Sequence, residues 1–278
     1  MIVVKMLKLN TVKIEPQLIP FVQRITLFSS IGAIDYKQKI MPSGYSYMSY
    51  NLKDIPQLFI GEKVVKSCER LQLIGPKTKS RLCVHHVGEV EQVLIEFTAT
   101  GFYRLFKQSP ANYCNSQVSY CNFQDEKRAK VLIKVLDDKR DINPIVKQIQ
   151  NHLLQLANKA QSVDDRIAET INRMEMLEGI MSVQDAYEFA NIGERHFNRL
   201  FRQIVGCSPK LFLKILQLHH IISKMSGNNK TRMLDLAYLS GFYDQAHFNK
   251  SFKKMVNLSP SKFINSSEHV SLQYFRIC

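Results

Sequence analysis

Residues 195–209 read RHFNRLFRQIVGCSP, and residues 246–260 read AHFNKSFKKMVNLSP. The two stretches lie 51 residues apart. Aligned without gaps, His196-Phe197-Asn198 falls on His247-Phe248-Asn249, Phe201 on Phe252, Val205 on Val256, and Ser208-Pro209 on Ser259-Pro260. In the first stretch Phe197, Leu200, Phe201 and Ile204 recur at i, i+3, i+4 and i+7, which sets them along one face of a helix. Phe248, Phe252, Met255 and Val256, at i, i+4, i+7 and i+8, share one face in the second. The opposite face carries Arg195, Asn198, Arg199 and Arg202 in the first copy, and Ala246, Asn249, Lys250 and Lys253 in the second. Each copy therefore predicts a helix with an apolar stripe for a core and a cationic, amide-bearing stripe for solvent or a ligand.

Working outward, a shorter helix precedes each copy. Ser182, with Asp185 three residues on, is a capping signal for a helix ending near Ala190. A turn at Asn191-Ile192-Gly193 then leads into Glu194–Val205. Residues 232–240, a turn around Gly241-Phe242-Tyr243 and residues 245–256 repeat the order. Two short helices joined by a tight turn, the second one basic, form a helix-turn-helix unit. The units are expected at about 182–206 and about 231–257. Between them Gly206 ends a helix, Ser208-Pro209 starts another, and 209–226 reads as one long connecting helix. Its residues Leu211, Phe212, Ile215, Leu218, Ile222 and Met225 are placed to pack against both units. Asp164–Leu177 is a further helix upstream.

The residue types on the two cationic stripes suit duplex DNA. Arginine bonds guanine in a bidentate manner, asparagine pairs with adenine, and lysine or further arginine neutralises phosphate. Two reading helices on one stiff connector can reach successive major grooves, about 34 Å apart. The formal net charge of +14 agrees with a polyanionic partner but does not select one. Local charge is more informative. Residues 164–188 hold seven acids and two arginines, whereas residues 195–214 hold five bases and no acid, and residues 245–262 hold four bases and no acid.

Residues 164–265 resemble the DNA-binding domain of the AraC/XylS family of bacterial transcription regulators. The resemblance rests on LAYLSGFYDQAHFNKSFKKMVNLSP (236–260) and on ERHFNRLFRQIVGCSPKLF (194–212). It implies seven helices, two helix-turn-helix units and a long linker helix. It also implies base or backbone contacts from Arg195, Asn198 and Arg199, and from Gln245, His247 and Lys250, with promoter DNA and RNA polymerase as partners. The chain departs from the family pattern at Asn191, where a turn glycine is usual, and at Tyr187, where a small residue is usual. Ala246 is a short side chain where a longer reader could stand.

The first 122 residues read as mostly β. YSYMSYNL (45–52), LQLIG (71–75) and QVLIEF (92–97) are rich in aromatic and β-branched residues and lie between turn signals. This half resembles the cupin-like sensor domains of the same family through Pro42-Ser43-Gly44, Leu73-Ile74-Gly75-Pro76 and the segment 96–106. The resemblance implies ligand sensing or dimerisation. Residues 125–138 and 143–160 have helical periodicity, with Asn143-Pro144 as a start signal. Val146, Ile149, Leu153, Leu156 and Ala160 share a face that could pack on the β half or pair with a second copy.

Other candidates for chemistry are weak. Cys83, His85 and His86 supply too few ligands for a metal site. His219 and His220 are adjacent on a helix and diverge by about 100°. No nucleophile motif, phosphate loop or dinucleotide fingerprint occurs, so no catalytic residue, metal or cofactor is expected. The six cysteines form no CxxC pair and read as free thiols. With no signal peptide and no long apolar run, a cytoplasmic protein is expected, without membrane partners.

The expected fold class is α+β. It comprises a β-rich sensor or assembly domain at 1–122, a helical and potentially dimerising linker at 123–162, and an all-α DNA-binding domain at 163–278. The expected function is a sequence-specific transcription regulator that reads two half-sites, with a small-molecule effector and a homodimer as further partners. Two alternatives remain open: a small-molecule-binding β-barrel enzyme with a helical scaffold, and a nonspecific architectural DNA binder.

Overall fold

The structure is a computed structural model that describes residues 7–65, 69–78, 82–124, 126–226, 238, 241 and 244–264. Among the described residues, ten strands form two antiparallel sheets in the N-terminal half. The larger sheet has the order β1 (Leu7–Val12), β2 (Val22–Ser30), β9 (Glu91–Phe97), β4 (Tyr47–Asn51), β7 (Leu71–Ile74) and β10 (Gln117–Ser119). The smaller has the order β3 (Ile34–Ile40), β8 (Leu82–Gly88), β5 (Gln57–Ile60) and β6 (Lys63–Val65). The helices are α1 (Gly101–Phe106), α2 (Tyr120–Phe123), α3 (Glu126–Asp137), α4 (Ile142–Ala157), α5 (Asp165–Met176), α6 (Val183–Phe189), α7 (Glu194–Val205), α8 (Pro209–Ser226), α9 (Gln245–Val256) and α10 (Pro260–Ile264). The α+β class, with β-rich and helical halves, agrees with the sequence reading. The expected helix at 232–240 falls almost entirely outside the described residues, as do Cys68 and Cys278.

Period-two alternation divides each central strand between two environments. Val93, Ile95 and Phe97 of β9, with Met48 and Tyr50 of β4, face a core shared with α1, α3 and α4. Leu94 and Tyr47 face the other way, into the space between the sheets. Both faces of β4 are thus covered, and all five of its residues are buried. At the edge of this core Phe97, Phe102, Phe106 and Phe123 stack mainly edge to face, with centroid separations of 5.0–6.0 Å.

Helix α4 begins one turn position earlier than Asn143-Pro144 suggests. Asp141 is its N-cap, accepting a hydrogen bond from the Asn143 backbone N–H at 3.0 Å. The apolar stripe of α4 is also used differently from the dimer reading. Ile145, Val146, Ile149 and Leu153 are buried in the core with the six-stranded sheet. The stripe is therefore filled by the chain's own sheet, and a second copy would have to use another face.

The space between the sheets is not completely filled. A cavity of about 100 Å³ is lined by Phe28, Ile40, Tyr47, Leu58, Ile74 and Leu94, with Gln38, Gln72, Lys77, His86 and Gln92 as its polar side. Burial, and secondarily the neighbouring His85, lower the His86 imidazole from about 6.5 to about 4. His86 is therefore neutral in the folded protein. The unfolded chain binds its proton as pH falls below about 6.5, so stability is lost between about 6.5 and 4. The gap corresponds to roughly 3 kcal/mol. Urea denaturation from pH 7 to pH 4 should show a steep acid limb that His86→Gln flattens. An unchanged limb would place the acid sensitivity elsewhere.

Among the described residues no helix is long and apolar enough to cross a membrane. Cys114, Cys121 and Cys207 are free thiols, and burial pushes the Cys207 thiol up to about 12. His85 bonds Asp35 at 2.7 Å across β3 and β8, and His86 turns to the cavity. His219 bonds the Pro42 carbonyl at 2.8 Å, while His220 contacts Glu178.

Candidate nucleic-acid interface

The first unit is built from local signals that the sequence displays openly. Ser182 and Asp185 close a capping box at the start of α6, each side chain bonding the other residue's backbone N–H at 3.0 Å. That bonding holds the Asp185 carboxyl below its usual range. Helix α6 ends at Phe189, and Asn191 takes a left-handed conformation with φ of 50°. Asparagine tolerates this region better than most residues, which explains how the turn forms without the usual glycine. Helix α7 then runs from Glu194 to Val205 and closes on Gly206 at φ of 96°. A Cβ on Gly206 would lie 2.8 Å from Pro76 and 3.0 Å from Pro110. Both the backbone angle and the close packing against the β half require glycine there.

Apolar packing fixes how α7 is rotated. Phe197, Phe201, Ile204 and Val205 are buried together with Ala186 of α6, Ile171 of α5 and Phe212 of α8. The opposite face of α7 is necessarily outward. Arg195, Arg199 and Arg202 are exposed there, with His196 beside them. Arg195, His196 and Arg199 line one shallow concavity, and an Arg199 guanidinium nitrogen lies 3.3 Å from His196 Nδ1. Asn198 is different. It is half-buried, and its side-chain amide donates to the Glu194 carbonyl at 2.9 Å. That bond uses one of the two amide hydrogens.

The second reading helix, α9, follows the same plan. Asp244 caps it by accepting a hydrogen bond from the His247 backbone N–H at 2.6 Å. Phe248, Phe252 and Val256 are buried with Leu218, Ile221 and Ile222 of α8 and Phe263 of α10. Gln245, Ala246, His247, Lys250 and Lys253 are exposed, and Asn249 is half-buried like its counterpart Asn198. The turn is one residue longer than in the first unit. Gly241, at φ of 75°, bonds Tyr238 as Asn191 bonds Glu188, yet α9 starts four residues later and α7 only three. The gap-free alignment therefore holds for the reading helices and fails ahead of the turn: the 51-residue offset would set Tyr238 on Tyr187, whereas the turn bonds set it on Glu188.

Helix α8 joins the units as one 18-residue segment, about 27 Å at 1.5 Å per residue. Its N-terminal half contributes Phe212, Leu213 and Leu216 to the core of the first unit, and its C-terminal half contributes Leu218, Ile221 and Ile222 to the second. The structure also adds two bases that the wheel argument left out. Lys210 and Lys214 of α8 are exposed and line a groove with Asn198, Glu194 and Gln217. Their signal was a pair of lysines at i and i+4 in a helix without acids. Asp164 interacts with His196 beside this face, and its carboxyl is held below its usual range by its ion pair with Arg166 at 2.7 Å and, more weakly, by His196.

Residues 188–266 match a known family described as a helix-turn-helix domain. The lactose operon transcription activator of Staphylococcus xylosus is 30% identical over 83 residues, covering 30% of this chain and 29% of that protein. The probable transcription factor PqrA of Proteus vulgaris is 28% identical over 83 residues, covering 30% of this chain and 67% of its own length. The match thus spans less than a third of the Staphylococcus protein. Among solved structures, ToxT of Vibrio cholerae superposes over 94% of this chain and 98% of its own, at 12% identity and a TM-score of 0.46. Through residues 188–266, this chain carries a helix-turn-helix domain similar to those of bacterial transcription regulators.

Proposed function

We propose that the whole chain is a sequence-specific transcription regulator that reads two successive major-groove half-sites of promoter DNA. The observation that carries this reading is the pairing of α7 and α9. Each buries a phenylalanine stripe against α8 and turns a cationic stripe outward. In this reading Arg195, Asn198, Arg199, Gln245, His247 and Asn249 face base edges. Arg202, Lys250 and Lys253 face phosphate. Residues 1–122 form the sensing part, 123–162 the helical linker and 163–278 the DNA-binding part. The protein acts in the cytoplasm and alters RNA polymerase recruitment.

The effector site in this reading is the cavity between the sheets. Its walls are mainly apolar, and among the described residues the buried Gln72 side-chain carbonyl has no hydrogen-bond partner. A buried acceptor without a donor costs about 1–3 kcal/mol. A small, mainly apolar molecule with one donor group would relieve that cost.

Fluorescence anisotropy across a salt series tests the DNA reading, using the DNA upstream of the protein's own gene and a shuffled duplex. A preference of about 10³ or more at physiological salt supports a specific regulator. Equal binding that vanishes with salt would mean generic electrostatics and would overturn the reading.

A further inference from the structure

The segment that crosses from one sheet to the other, residues 41–46 between β3 and β4, is buried along its whole length, as is Tyr47 at the start of β4. Crossings between sheets normally run over the surface. This one is covered by the DNA-binding half. Met41 is 3% exposed and packs in the core of the second unit, with Phe248, Phe252, Val256 and Leu218. One residue on, the Pro42 carbonyl accepts a hydrogen bond from His219 of α8 at 2.8 Å. Gly44, at φ of 72°, comes so close to α8 that a Cβ would lie 3.1 Å from the Phe212 ring and 3.5 Å from Ile215. The Tyr45 ring meets Phe212 edge to face at 5.6 Å, and its hydroxyl donates to Glu175 of α5 at 2.5 Å. One short strap of the β half thus touches both helix-turn-helix units and the helix that joins them.

We infer that residues 41–45 are a positioning element for DNA recognition, which sets the placement of α9 relative to α7 and so the half-site spacing the protein selects. This inference rests on the two-unit DNA reading above. Within the DNA-binding half, α8 is the one described helix whose residues lie in the cores of both units. A single helix transmits small rotations at either end to the helices it carries. The strap adds a second tie, with Met41 in one unit and Tyr45 in the other. Its two ends also reach the cavity, because Ile40 and Tyr47 are wall residues. The backbone of Ser43 donates to the Lys77 carbonyl at 2.9 Å, and Lys77 is a cavity residue as well. The Pro42-Ser43-Gly44 element thereby acquires a physical role: it lets the backbone turn flat against Phe212.

The test is selection of binding sites from a random duplex pool by the full-length protein, comparing wild type with Met41→Ala, Met41→Leu and Gly44→Ala. The readouts are each half-site sequence and the centre-to-centre spacing between the two. For wild type and Met41→Leu, one spacing should dominate. For Met41→Ala and Gly44→Ala the half-site sequences should persist while the preference for that spacing over its neighbours falls about tenfold, equivalent to about 1.4 kcal/mol. Spacing as sharp as wild type in whichever of the two variants folds overturns the inference. Failure of both to fold, with Met41→Leu folded, also overturns it, since the strap would then serve folding rather than placement. A wild type that selects no paired half-sites would instead refute the DNA reading itself.

Discussion

Replacing Phe212 with alanine is expected to lower the unfolding free energy by about 3–5 kcal/mol, the range for removing a buried phenylalanine. Phe212 is fully buried near the start of α8. Its ring packs edge to face on Phe201 of α7 and on Tyr45 of the β half, both at 5.6 Å. It also closes over Gly44. The void would open between two parts of the molecule that meet there, so collapse around it is hindered from both sides. Urea denaturation checks the prediction, with the midpoint moving down and the slope preserved. Phe212→Leu should cost clearly less. A loss below about 1 kcal/mol for Phe212→Ala would mean that the β half and the first unit do not pack this way in solution.

Loss of a base-reading side chain should be the largest effect on DNA binding. Arg199→Ala in the first unit and Gln245→Ala in the second are each expected to cost about 1–3 kcal/mol on the preferred site and to relax sequence preference at the contacted base. Both side chains are exposed on the outward face of their helices, so neither change removes core packing. The sites lie on separate units, so the two losses should add in the double variant within about 0.5 kcal/mol. Lys253→Ala, also exposed, should behave otherwise. It should weaken all sequences alike and reduce the salt slope by about 1. Anisotropy titrations on preferred and shuffled duplexes distinguish the two patterns. Equal binding by wild type and by Arg199→Ala would remove Arg199 from the set of readers.

The contacts that make up the reading helices were legible because they depend on short spacings. Phe197 and Phe201 share a face by helical geometry alone, so Arg195 and Arg199 must share the other. Ser182 with Asp185 and Gly206 before Ser208-Pro209 mark helix ends through bonds that span only a few residues. A one-residue shift within the turn stayed open in the sequence, since a gap-free match of the reading helices says nothing about the loop before them, and the spacing from Gly241 to α9 resolves it. Asn198 illustrates a further limit of the helical wheel. The wheel places it with the arginines, yet in the fold it is half-buried and its amide bonds back to the Glu194 carbonyl one turn earlier in α7.

Longer-range pairings leave no local trace in the chain. The stripe of Val146, Ile149 and Leu153 requires a partner, and periodicity is equally satisfied by a sheet or by a second copy. The six-stranded sheet fills that place. The cavity gathers Phe28, Lys77, His86 and Leu94 from different strands, and strand alternation specifies a side without specifying which strands meet across it. Tyr45 reaches Glu175 across 130 positions, and His219 reaches Pro42 across 177. Local propensity therefore sufficed for the two helix-turn-helix cassettes and their cationic faces. The docking of the β half onto both cassettes through residues 41–45 came from packing between distant segments, where shape and close contact choose the partner and no repeat in the sequence announces it.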